Sequence, residues 1–472
     1  MAALPLPLSQ TLSSLLASPR TRRRAPRRKH PLPPPLANPA LCSVEVERGV
    51  EFETGASFFR RESALGRDLG VLSALLHGRS TGRAPRILDA MCGCGVRSLR
   101  YLLQAGAGFV WANDANDEHR RLIVSNLARA GGAEQGAERR WVVSHLDANK
   151  VLVESYLHRE FFDMVDVDSF GSDSSFLKSA IEAVKIGGLL YLTSTDGYSS
   201  GGHRPHHSLA SYGAYVRPMP FSNEVGLRML IGGALREATA LGFHVLPLFS
   251  YYSYHGPVFR VMLRVTREKA FDTRKYCFIG YCNKCGNSQT FSWEELGQMF
   301  CPCSDGQVSH SLVVSGPLWT GPLHNADYVG EMLKLARELG WDHREKGGVD
   351  LGKLLQRMLE ESDPNLPFGY IKLDEVILQS EPHPFCHIPV KKKLCFVHKS
   401  GQTLTSAVLC NFQIARRAKI NSPPLSTLII TLQKEGYAAS RSHIAANAVK
   451  TNCPMATCIQ IARELRQNQR ET

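Results

Sequence analysis

The chain has 472 residues, 43% of them hydrophobic and 21% charged, long enough for two or three domains that each bury a core. No run of about 18 apolar residues free of charge occurs, which excludes a membrane-spanning helix. The excess of 56 Lys and Arg over 43 Asp and Glu, a formal net charge of +13, favours a polyanionic partner such as nucleic acid or an anionic membrane surface.

That charge is uneven, because residues 1–44 hold six Arg and one Lys and no acid. The body that follows is only mildly basic. The same segment is rich in Ala, Ser, Leu and Pro, the composition of an organellar transit peptide. Its apolar stretch at 12–17 precedes the basic cluster at 20–29, the reverse of a secretory signal. Abundant Pro and Ser favour a plastid (chloroplast) over a mitochondrion. The alternatives are a basic arm that touches nucleic acid and a nuclear signal at 22–29.

Beyond the arm, apolar spacing predicts a helix at 68–76, a strand at 86–90, a Gly-rich turn and a helix at 98–105. Strands at 109–113, 141–144 and 162–167 follow, with a helix at 118–129, a helix at 174–185, a turn at Gly187-Gly188 and a strand at 189–195. A helix at 227–241 and a last strand at 258–266 complete the pattern. Strands alternating with helices predict a doubly wound, Rossmann-like α/β sheet. The expected divisions are 45–270 for that domain, 271–315 for a cysteine cluster and 316–472 for an α+β C-terminal domain. In the last of these, helices are predicted at 326–339 and 351–361, and helix, turn, helix at 425–434, 436–437 and 440–449.

Residues 87–97 read ILDAMCGCGVR, a strand, an acid and a Gly-x-Gly turn opening a helix. Gly93 and Gly95 let the backbone approach a cofactor, and the helix N-terminus offers N–H donors. A dinucleotide fingerprint would place Gly at 98, where the chain has Ser98, so a nicotinamide oxidoreductase is disfavoured. Acids recur at the ends of successive strands: Asp89, then Asp114 where a ribose would be held, Asp147 where an adenine amino group would lie, and Asp166 and Asp168 at the fourth. This is the layout of S-adenosylmethionine methyltransferases. Taken singly, each acid also suits a helix N-cap, Asp117 above all, and Asp173 suits a cap on the next helix. Asp168 and Phe170 stand where amino-methyltransferases need a carboxylate to accept the hydrogens of a delocalised amine and an aromatic face to hold the base.

With these residues in place, the chain resembles the tRNA guanine-26 N2-dimethyltransferases from about residue 51 to 465. The likeness runs through Arg67-Asp68-Leu69, Leu88-Asp89-Ala90, Gly95-Val96-Arg97-Ser98, Asn113-Asp114-Ala115, Asp147-Ala148 and 166–171. It continues through Thr195-Asp196, 223–228, 316–324, 440–443 and Lys450-Thr451-Asn452. The resemblance implies an S-adenosylmethionine-dependent enzyme that transfers one or two methyl groups to N2 of a guanine in tRNA. Asp168 would be the catalytic group, and Arg67 and Ala148 would join Asp89, Gly93, Gly95, Asp114, Asp147 and Asp166 at the cofactor. Departures are Ser169 in place of a proline, which would loosen the backbone aiming Asp168, a missing proline in Phe58-Phe59-Arg60-Arg61, and Cys92 and Cys94 at usually small positions. The rival from another class is a catalytically weak tRNA-binding protein, or RNA chaperone, on the same fold.

Four of the 13 cysteines, Cys282, Cys285, Cys301 and Cys303, lie within 22 positions and suit one structural zinc ion in a reducing compartment. The second pair has a single residue between its members, so Cys277 is an alternative ligand. Candidate phosphate contacts are Arg60, Lys391, Lys392, Lys393, Arg416 and Arg417. His203, His206 and His207 read as a polar loop over the site rather than a metal cluster. A monomer is expected.

Overall fold

A computed structural model describes residues 44–131, 140–267, 272–304, 310–343, 350–373 and 422–471. The basic arm and the candidates Lys391, Lys392, Lys393, Arg416 and Arg417 lie outside the described residues.

The chain enters through a short antiparallel pair, β1 (Val44–Glu47) and β2 (Val50–Glu53), then α1 (Ala64–Thr81), which ends where Gly82 takes φ +65°. Next come β3 (Arg86–Asp89), α2 (Val96–Leu103), β4 (Phe109–Asn113), α3 (Arg120–Ala128), β5 (Trp141–Ser144), α4 (Ala148–Leu157), β6 (Phe162–Asp168), α5 (Leu177–Ala183) and β7 (Val184–Ser194). Two short helices follow, α6 (Gly197–Ser200) and α7 (Pro205–Tyr212), then α8 (Ser222–Ala240), β8 (His244–Ser253) and β9 (Val258–Thr266).

The seven strands from β3 to β9 form one sheet in the order β5-β4-β3-β6-β7-β9-β8. The first five are parallel, and β9 enters antiparallel between β7 and β8. Successive residues of its strands go to opposite faces: Ile87, Met164, Leu189 and Tyr191 to the core under α1 and α2, Leu88, Val165, Leu190 and Leu192 to the core under α5 and α8. A sheet covered on both sides requires apolar residues at nearly every strand position, which is why these strands read as continuous hydrophobic runs. The strand order reverses beside β3, and at this switch the carboxyl ends of β3, β4 and β6 open a crevice.

Several elements differ from expectation. The predicted helix at 174–185 is only Leu177–Ala183, because β7 starts at Val184 and absorbs Gly187 as an irregularity within the strand. Strand β8 escaped prediction because Pro247 interrupts its pattern; the pairing with β9 shifts register between Pro247 and Phe249, and an edge strand tolerates the missing donor. Helix α4 escaped because Val153, Tyr156 and Leu157 are exposed and blur its apolar face.

Beyond the sheet, β10 (Tyr276–Cys282), β11 (Ser288–Phe291) and β12 (Leu312–Trp319) form an antiparallel sheet in the order β11-β10-β12. The packing continues across the expected divisions, since Tyr276, Ile279 and Leu318 share one core with Val225, Leu230 and Ala234 of α8. Helices α9 (Ala326–Glu338) and α10 (Leu351–Glu360) return to the face of α1. The C-terminal elements are β13 (Ile371–Lys372), α11 (Leu425–Lys434), β14 (Ala439–Arg441), β15 (Ala448–Thr451) and α12 (Met455–Glu471). The predicted helix at 440–449 is therefore two strands and their connection. Ile444, Ala448 and Val449 have helical spacing, but β15 pairs with both β13 and β14 instead.

Candidate active site

The Gly-x-Gly turn after β3 has the conformation its glycines allow: φ is +58° at Gly93 and +83° at Gly95, and Gly95 precedes the first turn of α2. The Gly93 amide donates to Asp114 Oδ2 at 2.9 Å, so the turn and the acid ending β4 form one cradle. Asp114 also accepts from the Asn116 amide at 3.0 Å and keeps 17% of its side chain exposed. Around it stand buried polar atoms without a hydrogen-bond partner: Ser57 Oγ, His119 Nδ1 and His145 Nε2. Buried polar groups are normally satisfied, so this cluster fits a polar ligand such as a ribose with its base. Asp147, exposed, caps α4 by accepting from the Asn149 amide at 2.9 Å, and Ala148 is buried behind it. Asp117 is not a cap, contrary to the sequence expectation; Asn116 accepts from the Glu118 amide in that role.

Asp89 and Asp166, which the resemblance implied at the cofactor, lie out of its reach. Both side chains are fully buried beneath the crevice and present nothing to a ligand. Asp89 accepts from Ser98 Oγ at 2.7 Å and Asp166 from Tyr101 Oη at 2.7 Å. Their shared purpose is Arg97, whose guanidinium lies 3.6 Å from Asp89, 3.4 Å from Asp166 and 2.6 Å from Asp168. Burial, reinforced by the neighbouring carboxylates, pushes both Asp89 and Asp166 above the usual range against the pull of Arg97.

Asp168 behaves differently. Burial alone would raise it, but the charges of Arg97 and Arg260 together outweigh burial and hold it below the usual range. Arg260 Nη2 donates to Asp168 Oδ1 at 3.3 Å from β9. Gly66 makes room for that arginine, because a side chain there would stand 2.7 Å from Arg260 Nε. Asp168 is thus a fixed, ionised acceptor with 29% of its side chain open. Neither arginine was assigned a role from the sequence. Arg97 lies inside the turn motif, and the signal for Arg260 is a charge in the middle of a β-rich apolar run.

Ser169 does not leave the loop slack as its replacement of proline suggested, because its hydroxyl donates to the Thr193 carbonyl of β7 at 2.9 Å. Gly171, at φ +80°, is tied to Thr195 by its amide and carbonyl. Phe170 is held out at 74% exposure, edge-on to Phe58 at 5.0 Å, and the Arg60 guanidinium covers Phe58 at 4.9 Å. Arg67 donates to Glu47 and to the Arg60 carbonyl, so much of its donor capacity is spent on the floor of the crevice, though its charge contributes to Asp168. Asp173 is buried and accepts from Tyr212 Oη at 2.9 Å rather than capping α5; burial pushes it up to about 7. His203, His206 and His207 flank and occupy the start of the short helix α7 rather than an open loop, and His207 stands 3.7 Å from Asp196.

Away from the crevice, the sulfurs of Cys282, Cys285, Cys301 and Cys303 lie within 4.8 Å of one another. Cys282 and Cys303 approach to 3.6 Å, Cys285 and Cys301 to 3.4 Å. Cys277 is not among them, since its thiol donates to the Thr273 carbonyl at 3.1 Å. The Asn287 amide points at Cys285 Sγ from 3.5 Å, and cysteines 92 and 94 are buried in the sheet core. Among the described residues no helix is long and apolar enough to cross a membrane.

Known proteins resemble this chain over most of its length. The family model of N2,N2-dimethylguanosine tRNA methyltransferases matches residues 43–392 and 390–463. A tRNA (guanine(26)-N(2))-dimethyltransferase of Thermococcus kodakarensis is 27% identical over 437 residues, covering 90% of this chain and 98% of its own. One from Methanoculleus marisnigri is 29% identical over 402 residues, covering 85% and 90%. The structure of Trm1 from Pyrococcus horikoshii with S-adenosyl-L-methionine superposes with a TM-score of 0.66 at 24% identity, over 89% of this chain and 99% of that one. The chain belongs to the N2,N2-dimethylguanosine tRNA methyltransferase family.

Proposed function

We propose that this S-adenosylmethionine-dependent tRNA (guanine-N2)-methyltransferase acts on a guanine of the position-26 type, adding one or two methyl groups at the edge formed by Asp168 and Phe170. The observation that carries the reading is the pairing of one half-open carboxylate with two buried arginines, 2.6 Å and 3.3 Å away, beside an exposed aromatic ring. S-adenosylmethionine supplies a methyl group on a positively charged sulfur, open to attack by an amine. Asp114, Gly93, Asp147 and Ala148 would hold the cofactor.

Asp168 orients the exocyclic N2 amine by accepting its hydrogens, and an amine that has gained a methyl is acidic enough to give its proton even to this weakly basic carboxylate. Arg97 and Arg260 keep Asp168 ionised and immobile, so little reorganisation is needed as charge develops on the amine. Phe170 and Phe58 offer ring faces and edges to a guanine taken out of its stack.

The four clustered thiols fit a structural zinc ion: a tetrahedral thiolate site with Zn–S of about 2.3 Å needs sulfurs just under about 4 Å apart. Arg60, with Lys391, Lys392, Lys393, Arg416 and Arg417, would meet tRNA phosphates, and residues 1–44 would address the protein to a plastid. The test is mass analysis of nucleosides from unmodified tRNA incubated with the protein and labelled S-adenosylmethionine. Label in N2-methylated guanosine is expected, and label only in another nucleoside, or in none, overturns the assignment.

A further inference from the structure

Two exposed tyrosines beside the catalytic edge have no place in the chemistry described. Tyr254 is 67% exposed at the tip between β8 and β9, and Tyr198 is 49% exposed on α6. Soluble proteins expose scattered tyrosines, but these two are backed and placed in a particular way. The Tyr254 ring lies on the His255 ring with centroids 3.9 Å apart. The Arg204 guanidinium covers Tyr198 at 4.8 Å.

Both are continuous with the edge that carries Asp168. Arg60, which covers Phe58, reaches the His255 carbonyl at 3.5 Å, and a side chain at Gly256 would stand 3.2 Å from Arg60 Nη1. On the other side, Thr195 is bonded to Gly171, and a side chain at Gly197 would stand 2.7 Å from Pro257. The tip between β8 and β9 therefore touches Arg60 at one point and the start of α6 at another. Among the described residues no carboxylate pairs with Arg60 or Arg204.

We infer that Tyr254 with His255, and Tyr198 with Arg204, are stacking stations for the nucleotides that flank the target guanine. This rests on the methyltransferase reading above. Extracting one base from a stacked strand leaves its neighbours without partners, and an aromatic ring replaces that lost stacking without regard to base identity. Unpaired guanidinium groups beside the rings suit the phosphates between those nucleotides and would serve neither a lipid chain nor an apolar peptide. The stations are RNA-positioning groups and take no part in methyl transfer.

The test is tRNA binding and steady-state methylation by Tyr198→Ala, Tyr254→Ala and the double variant, with Tyr254→Phe as the conservative control. Wild-type methylation is measured first, so that failure of the proposed activity is seen separately from failure of the stations. Each alanine change should raise Kd and KM for tRNA about 5- to 150-fold, the range of one lost base stack, with S-adenosylmethionine affinity unchanged. Tyr254→Phe should restore wild-type binding. Alanine variants that bind tRNA as wild type does overturn the inference, as does a Tyr254→Phe defect equal to that of Tyr254→Ala. Loss of S-adenosylmethionine affinity together with tRNA affinity does the same, since it would mark the tyrosines as structural.

Discussion

At the scale of single residues, two acids at the carboxyl edge carry different charge states because their neighbours differ. Asp168 faces two guanidinium groups and stays ionised, whereas Asp173 meets only a tyrosine hydroxyl and is pushed up to about 7. Replacing the first with asparagine removes a charge needed as the amine becomes cationic; replacing the second removes a charge that burial already disfavours. Asp168→Asn should therefore lower kcat about 10²- to 10³-fold with S-adenosylmethionine affinity nearly retained, and Asp173→Asn should leave kcat within about threefold of wild type. Single-turnover methylation and calorimetry check both. Equal losses in the two variants would show that the pair of arginines does not single out Asp168. The sequence made Asp168 legible through its position after the fourth strand. That Asp166, two residues earlier, is closed to a cofactor was not legible, because only packing reveals that it is enclosed by Tyr101 and Arg97.

At the scale of elements, two groups of side chains join parts of the chain distant in sequence. The thiol cluster ties the β10–β11 turn to residues 301 and 303. If it holds zinc, the purified protein should contain about one equivalent of metal. Cys285→Ser should then lower Tm much more than it lowers S-adenosylmethionine affinity, because loss of a closed site costs folding free energy. Metal-free protein that melts like the metal-replete form would remove the zinc assignment. The second junction is Glu361 at the end of α10, which faces His324 at 3.5 Å and His443 at 2.8 Å, with Lys450 bonded nearby to Glu224 of α8 at 2.6 Å. Several segments of the family likeness, 223–228, 316–324, 440–443 and Lys450-Thr451-Asn452, converge here. Burial would raise Glu361, but His443, His324 and Lys450 hold it well below the carboxylate range; burial lowers His324 to about 4.

Both shifts act in one direction. His324 stays neutral in the fold while an unfolded histidine gains a proton below about 6.5, so its contribution to stability is present above that pH and is lost between about 6.5 and 4. The Glu361 contribution is present above the unfolded value near about 4.3 and is lost as pH falls further. Tm should fall on acidification from pH 7 to 4, and His324→Gln, lacking the proton site, should show a flatter profile over that interval. A profile as steep as wild type would assign the acid sensitivity to other groups. Such junctions were illegible in the sequence, since their members lie as much as 226 residues apart, from Glu224 to Lys450. The β-α alternation was legible because local periodicity reports a sheet covered on both faces. Where local spacing and long-range pairing disagreed, as at 440–449, pairing with β13 won.

At the scale of the whole molecule, residues 1–44 hold a large share of the net charge. If they are a cleavable address, their removal should cost only non-specific attraction for RNA, because the body retains the crevice, the aromatic edge and its own mild positive charge. The structure sets the limit of a harmless truncation. Glu47, at the end of β1, is buried between Arg67 and Arg100; Arg100 also bonds Asp68, which pairs in turn with Arg48. Deleting residues 1–40 should leave kcat/KM for tRNA within about threefold of wild type at physiological salt. Deleting residues 1–48 removes Glu47 and leaves the buried Arg67 guanidinium without a carboxylate, a loss on the order of 3–5 kcal/mol that should appear as a lower Tm or failure to fold. A reporter fused behind residues 1–44 should enter plastids and lose the segment. Retention of the reporter in the nucleus, or loss of methylation in the shorter deletion, would make the arm a nucleic-acid-binding part of the enzyme.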